Sequence, residues 1–197
     1  MSHADFLLEL LSEEIPARMQ ARARNDLARM FAEELAKAGL KAEAIDTFAT
    51  PRRLGLIARG LPLATAAVSE DRPGQPAAEV LGPAIERIVR GFPWPKSMRW
   101  GTASSSTASL RWVRPLQGIV ALLGAEIVPV EVDGIASGAT TVGHRFHHPG
   151  PITLGGAQDY AEKLRACRVI VDPDERATII REGARALAAE AGLALVE

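Results

Sequence analysis

The feature that most constrains the fold is a change of hydrophobic period near the start of the chain. Residues 6–11, Phe-Leu-Leu-Glu-Leu-Leu, form a short apolar run closed by the turn-like Ser12-Glu13-Glu14, and they read as a buried strand. Pro16 then suits a first helical turn, where its missing N–H costs nothing, and Glu13 and Glu14 complement the positive end of the helix dipole. From Met19 onward apolar residues recur at Ala23, Leu27, Met30, Phe31, Leu35 and Ala38, which is the stripe of an amphipathic helix. Gly39 is its expected stop. Residues 45–49 and 54–61 read as strands flanking Thr50-Pro51-Arg52-Arg53, because Pro51 cannot donate to a ladder. A β-α-β-β lobe is therefore expected over residues 1–66.

Residues 67–78 are poor in large apolar side chains and hold Pro73-Gly74 and Pro76, so they read as a linker. A second helix-plus-sheet lobe is expected over 79–197. Its first helix, 78–91, is ended by Phe92-Pro93-Trp94-Pro95, since neither proline can continue the ladder. Ser104-Ser105-Ser106 marks a surface loop. Strands are expected at 110–113, 118–123 and 127–132, the last two joined as a hairpin through Gly124-Ala125. A strand at 140–146, a helix at 155–166, a short strand at 169–171 and an amphipathic helix at 174–191 complete the reading. Strands are grouped rather than strictly alternating with helices, so the class is α+β, with mixed or antiparallel strands and packed helices. No internal repeat is evident.

Composition limits the function classes. The single cysteine, Cys167, excludes an internal disulfide and a thiolate zinc cluster, and fits a reducing cytoplasm. The start has no basic n-region and no apolar stretch approaches the roughly 20 residues of a membrane span, so a soluble cytoplasmic chain without membrane association is expected. Lys+Arg 23 against Asp+Glu 24 leaves a net charge of -1, which excludes a uniformly basic protein. That total hides segregation. Residues 87–125 contain no Asp or Glu, yet hold Arg87, Arg90, Lys96, Arg99, Arg111, Arg114 and all three tryptophans, Trp94, Trp100 and Trp112. A second acid-free stretch, 134–158, holds Arg145 and three of the four histidines.

Cations interleaved with aromatics are what a polyanion needs, since cations pair with phosphates and flat rings stack on unpaired bases. The plainer reading makes the tryptophans core and the arginines solvated or paired with acids elsewhere. Arg52 and Arg53 have the same two readings: they hold RNA phosphates, or they pair with the acidic start of the first helix, and the structural role is favoured. The cluster His144-Arg145-Phe146-His147-His148 lacks a nearby Cys or carboxylate to complete a metal site, so loop histidines are the simpler account. On a strand, His144 and Phe146 would share one face and Arg145 the other. No GxxxxGK loop, GxSxG elbow or HExxH motif occurs. Lys96-Ser97-Met98 superficially suggests the ATP-binding signature of class I aminoacyl-tRNA synthetases, but its order is wrong and no companion motif is present.

Longer motifs carry a sharper signal. They are Leu7-Leu8-Glu9-Leu10-Leu11-Ser12-Glu13-Glu14-Ile15-Pro16-Ala17-Arg18, Thr50-Pro51-Arg52-Arg53-Leu54 and Phe92-Pro93-Trp94-Pro95-Lys96-Ser97-Met98-Arg99-Trp100. Trp112-Val113-Arg114-Pro115-Leu116, Ile119-Val120-Ala121-Leu122-Leu123-Gly124, Gly143-His144-Arg145-Phe146, Val171-Asp172 and Glu175-Arg176 follow in order. Together they make the chain resemble the N-terminal part of the β subunit of bacterial heterotetrameric glycyl-tRNA synthetase. Family members carry a longer stretch between the Thr-Pro-Arg-Arg and Phe-Pro-Trp-Pro halves, so residues 67–78 read as a shortened excursion. The family's HD-type and anticodon-binding regions have no counterpart here.

The resemblance implies a non-catalytic segment that supports charging of tRNA with glycine, by binding tRNA, by assembling with the catalytic α subunit, or both. It also implies that ATP and Mg are used by the α subunit, that this chain holds no cofactor, and that the full-length assembly is an α2β2 heterotetramer. Candidate contacts to tRNA or a subunit are Arg52, Arg53, Trp94, Lys96, Arg99, Trp100, Arg111, Arg114, His144 and Arg145. The alternative is a purely structural interaction module with no RNA contact.

Overall fold

The computed structural model describes residues 2–67 and 74–196. The first strand, β1 (His3–Ser12), is followed by helix α1 (Ala17–Lys37) and strands β2 (Ala44–Thr50) and β3 (Arg53–Pro62). Helix α2 (Ala77–Arg90), a 3₁₀ turn (Thr102–Ser105) and strands β4 (Leu116–Leu123), β5 (Glu126–Ile127), β6 (Glu131–Val132) and β7 (Ile135–Gly138) come next. Strands β8 (Thr140–Val142) and β9 (Pro151–Thr153) and helices α3 (Ala157–Ala166) and α4 (Pro173–Glu190) complete the chain. This is an α+β fold.

Among the described residues, seven strands form one sheet in the order β2-β3-β1-β4-β7-β6, with β5 pairing β4 off that path, and β8 and β9 form a separate pair. The two lobes expected from the sequence share this sheet, since β1 pairs antiparallel with β3 on one side and with β4 on the other. Half of the 67–78 linker, residues 68–73, lies outside the described residues.

Both faces of β1 are covered, which is why its sequence is a nearly continuous apolar run. Phe6, Leu8 and Leu10 face α1 and α2, where they join Leu27, Phe31, Leu81 and Ile85. The Phe6 and Phe31 rings stack at 5.5 Å. Leu7 faces the other way, into a second cluster built with Phe48, Ile57, Val120, Leu122, Tyr160 and Leu164. Helix α1 ends as expected: Gly39 adopts a φ of 70°, and Leu40 N–H closes back on the Leu35 carbonyl at 2.9 Å.

Several expected elements differ. Residues 110–113 are not a strand: only Trp112 pairs, with Met98, in an isolated bridge. Residues 127–132 are broken into β5 and β6 around Pro129, which has no N–H to offer a ladder. Residues 169–171 link α3 to α4 without a sheet partner, and the strand expected at 140–146 stops at Val142. Strands β7 and β9, built from Ile-Ala-Ser-Gly and Pro-Ile-Thr, escape a reading that looks for β-branched runs.

The most deeply buried carboxylate among the described residues is Glu9, 1% exposed at the middle of β1. Arg53 of β3 donates its Nε to Glu9 Oε2 at 3.0 Å, while Tyr160 of α3 and Thr141 of β8 donate their hydroxyls to the same carboxylate. Arg53 also donates to the Val142 carbonyl. Burial beside this carboxylate pushes the Tyr160 phenol well above its ordinary value, so it stays a donor. Gly55, opposite both Glu9 and Phe48 in the register, leaves the necessary room. A Cβ there would clash with two carbons of the Phe48 ring and lie 2.6 Å from the Leu8 carbonyl oxygen.

Two stability predictions arise. Arg53→Ala strands a buried carboxylate and is expected to cost about 3–5 kcal/mol, against about 1.5–3 kcal/mol for Tyr160→Phe, read from urea unfolding midpoints. On the opposite face Glu34 of α1 accepts from Lys37 at 2.5 Å and from Arg87 of α2 at 2.7 Å. The Lys37 hydrogen bond, then that of Arg87, outweighs burial and lowers the Glu34 carboxyl below its ordinary 4.5. A depressed folded-state pKa contributes stability that is whole above the unfolded value and lost as pH falls through the folded one. Glu34→Gln should therefore cost about 0.2–1 kcal/mol near neutrality, with the difference from the parent chain closing at acid pH.

Candidate nucleic-acid interface

The tryptophans of the acid-free window are mainly structural. Trp112 is fully buried, and Phe92 and Trp94 close around it with ring centroids 5.1 and 5.0 Å away. Trp94 and Trp100 are half-buried and pack against the main core. Paired backbone hydrogen bonds between Met98 and Trp112, at 2.8 and 3.2 Å, tie the Pro-Trp-Pro segment to the strand-like stretch that precedes β4. The prolines and rings therefore brace the cations that surround them.

Those cations separate into two groups. Arg87 is neutralised by Glu34 and Arg90 by Glu86, at 2.7 and 2.9 Å. Lys96, Arg111 and Arg114 are exposed, and Arg99 is half-buried with Nη2 on the Thr107 carbonyl at 3.1 Å. None of these four has a carboxylate within ion-pair distance among the described residues. Arg90, Arg99 and Arg111 line one shallow cavity of about 250 Å³ with residues 107–110.

The other basic residues converge elsewhere, at the end of the sheet where β2 turns into β3. Arg52 lies in that turn and Arg53 opens β3, and the two neighbours have different fates. Arg53 is 3% exposed and committed to Glu9, which removes it from the surface candidates. Its partner is a strand carboxylate rather than the acidic start of α1. Arg52 is half-buried, donates to Gln117 at 2.7 Å and lies 3.9 Å from Glu13. It lines a cavity of about 280 Å³ together with His144, Arg145, Arg168 and Arg176. Arg145 also pairs with Glu14 on the rim. Arg114 lines an adjoining cavity that shares Glu14 and Pro51 with the first.

Because β8 ends at Val142, His144 and Phe146 do not sit on a strand face but in a turn. His144 Nδ1 accepts from the backbone N–H groups of Phe146 and His147 at 3.2 and 3.3 Å, and His148 N–H donates to the His144 carbonyl at 2.8 Å. Among the described residues no group of three or more His, Cys, Asp or Glu is placed to hold a metal. Cys167 is buried at the end of α3.

Arg168 and Arg176 are the basic lining residues absent from the sequence-based candidates. Arg176 lies within the Glu175-Arg176 motif, but nothing in the pattern marks it as part of a cavity. It donates to the carbonyls of Ala49, Ile170 and Val171 at 2.9, 2.6 and 3.2 Å, and burial lowers its pKa. Arg168 follows Cys167 with a φ of 64°, a left-handed conformation that costs a non-glycine residue about 1–2 kcal/mol. No local sequence signal announces it. The cavity is thus an arginine-rich recess at a sheet end, with Pro51, Val169 and Ile170 supplying apolar walls.

Residues 6–74 and 63–197 match the family described as glycyl-tRNA synthetase beta subunit. Curated relatives include the glycine–tRNA ligase beta subunits of Paracoccus denitrificans, 41% identical over 239 residues, and Dinoroseobacter shibae, 41% over 240. That of Ruegeria sp. is 39% identical over 241 residues. Each alignment covers 98% of this chain and 33–34% of the relative, so the chain spans about a third of the length of the curated relatives it matches. The alignments are longer than the 197 residues of this chain, so the relatives carry residues that it lacks. The long motifs, the family match across nearly the whole chain and these identities agree: the chain belongs to the glycyl-tRNA synthetase beta subunit family.

Proposed function

We propose that this chain is a non-catalytic, tRNA-facing segment of a glycine–tRNA ligase β subunit. The observation that carries this reading is the set of cations left without carboxylate partners on a family member of near-neutral net charge. Lys96, Arg99, Arg111 and Arg114 have no ion pair among the described residues, nor do Arg168 and Arg176, which share one recess with Arg52 and Arg145, each of these two beside one glutamate. Phosphates neutralised by such cations release counterions, which makes binding fall steeply with salt. Glycine activation, with its ATP and Mg, belongs in this proposal to a separate catalytic α subunit of a cytoplasmic α2β2 assembly.

A second reading has its own support. Helix α4 contributes no buried residue, and Ile180 and Leu187 are 70% and 68% exposed. An apolar surface of this kind favours a protein-facing role in assembly. Among the described residues no helix is long and apolar enough to cross a membrane.

Titration of glycine tRNA against the 197-residue chain at several salt concentrations separates the readings. RNA contact predicts that changing Lys96, Arg99 and Arg111 together to Ala weakens binding tenfold or more and flattens the salt slope. An unchanged affinity, or capture of the α subunit without any tRNA binding, supports the assembly module instead. The chain alone is also expected to show no glycine-dependent pyrophosphate exchange; measurable exchange would place activation in this chain.

A further inference from the structure

We propose that the recess between the β2–β3 turn, the turn at 143–148 and the α3–α4 connection binds one unpaired nucleotide of an RNA strand through its phosphate. This rests on the RNA-facing reading above and narrows it to one site and one ligand chemistry.

The charge balance of the recess calls for an anion. Glu14 engages Arg145, and Glu13 lies at the limit of an ion pair with Arg52. Arg168 and Arg176 have no carboxylate within ion-pair distance among the described residues. Arg176 is the telling case: its half-buried guanidinium donates to three neutral carbonyls, and although Asp172 and Asp174 act on its charge through space, neither comes within ion-pair distance. A phosphate near such a partly desolvated cation forms stronger, charge-assisted contacts than it would on an open surface.

The recess is also built to hold its donors still. A Cβ at Gly143 would lie 2.9 Å from Cys167 Cβ, 2.9 Å from His148 Cδ2 and 3.0 Å from the Cys167 carbonyl oxygen, so only glycine lets the turn close on the end of α3. His144 N–H seals that contact on the Cys167 carbonyl at 3.0 Å. With Nδ1 accepting two backbone hydrogen bonds, the His144 ring carries its proton on Nε2 and presents a donor there. Arg168 occupies the left-handed position after the helix where glycine is the usual residue, which places a cation at the rim despite the strained backbone.

Size and continuity select the ligand. A cavity of about 280 Å³ falls at the small end of ligand sites, a volume that suits one nucleotide and not a duplex. Pro51, Val169 and Ile170 offer apolar wall to a sugar or base. The neighbouring cavity of about 460 Å³ shares Glu14 and Pro51 and adds Arg114, so an open groove with one further cation continues beyond the recess. That continuation favours a strand over a free nucleotide.

Fluorescence anisotropy with an end-labelled, single-stranded RNA octanucleotide tests the site in the 197-residue chain. Arg168→Gly is expected to weaken binding at least fivefold and to reduce the magnitude of the log–log salt slope by about 0.7. The same variant should unfold at no lower temperature than the parent, because glycine relieves the backbone. His144→Ala should weaken binding about threefold, and unlabelled duplex of the same sequence should compete poorly. Parent-like binding by Arg168→Gly, equal competition by the duplex, or no octanucleotide binding by the parent chain each overturns the proposal. Saturation by AMP with no effect of the octanucleotide overturns it in favour of a free nucleotide. If tRNA binding persists in Arg168→Gly but falls in the Lys96, Arg99 and Arg111 variant, the recess fails and the wider reading stands. Octanucleotide binding that depends on Arg168, without tRNA binding, upholds the recess and overturns the wider reading.

Discussion

A carboxylate at the centre of a fully covered strand is the constraint around which the rest is arranged. Glu9 sits between β3 and β4 with α3 above it, where an ionised group without partners would be prohibitively costly. Arg53, Tyr160 and Thr141 meet it from β3, α3 and β8, which are far apart in sequence. A purely apolar contact tolerates sliding; a carboxylate with three donors fixes the position of each element relative to the sheet. Gly55 and the overlying Phe48 ring, 5.0 Å from Tyr160, close the site against water.

The two helical layers are secured by different means. On the α1–α2 face the Phe6–Phe31 stack and the leucine-rich interface provide extensive apolar burial, with Glu34 linking the helices at the margin. On the α3 face the apolar cluster is smaller and the Glu9 network sits inside it. Directional hydrogen bonds there supply the register that fewer apolar contacts leave loose.

How much was legible in the sequence follows from the range of the forces involved. The β-α-β-β start was readable because period, Pro16 and Gly39 act locally, and the observed bounds lie close to those expected. The region from 110 to 153 was harder. Trp112 looks like a strand residue but is held by one bridge and an aromatic cluster, and β7 gains its place from β4, a partner not adjacent in sequence. The same limit applies to the basic recess. Arg52, His144 and Arg145 stood out through motifs and composition, whereas Arg168 and Arg176 join them only because α3 and α4 bring the chain back to the β2–β3 turn.

The recess also depends on the core more directly than its exposed position suggests. Arg53 uses one side of its guanidinium for Glu9 and another for the Val142 carbonyl, one residue before the glycine that lets the 143–148 turn pack on α3. Its neighbour Arg52, in the β2–β3 turn, lines the recess as well. Two adjacent arginines therefore have different duties: Arg53, at the start of β3, neutralises the buried carboxylate and holds the cavity wall, while Arg52, in the turn before it, is only half-buried and keeps its charge nearer solvent. Net charge alone could not distinguish them. What separates the two kinds of cation in this chain is whether a carboxylate meets it at ion-pair distance: Glu9 does so for Arg53, whereas Arg176 donates to carbonyls and has Asp172 only at longer range.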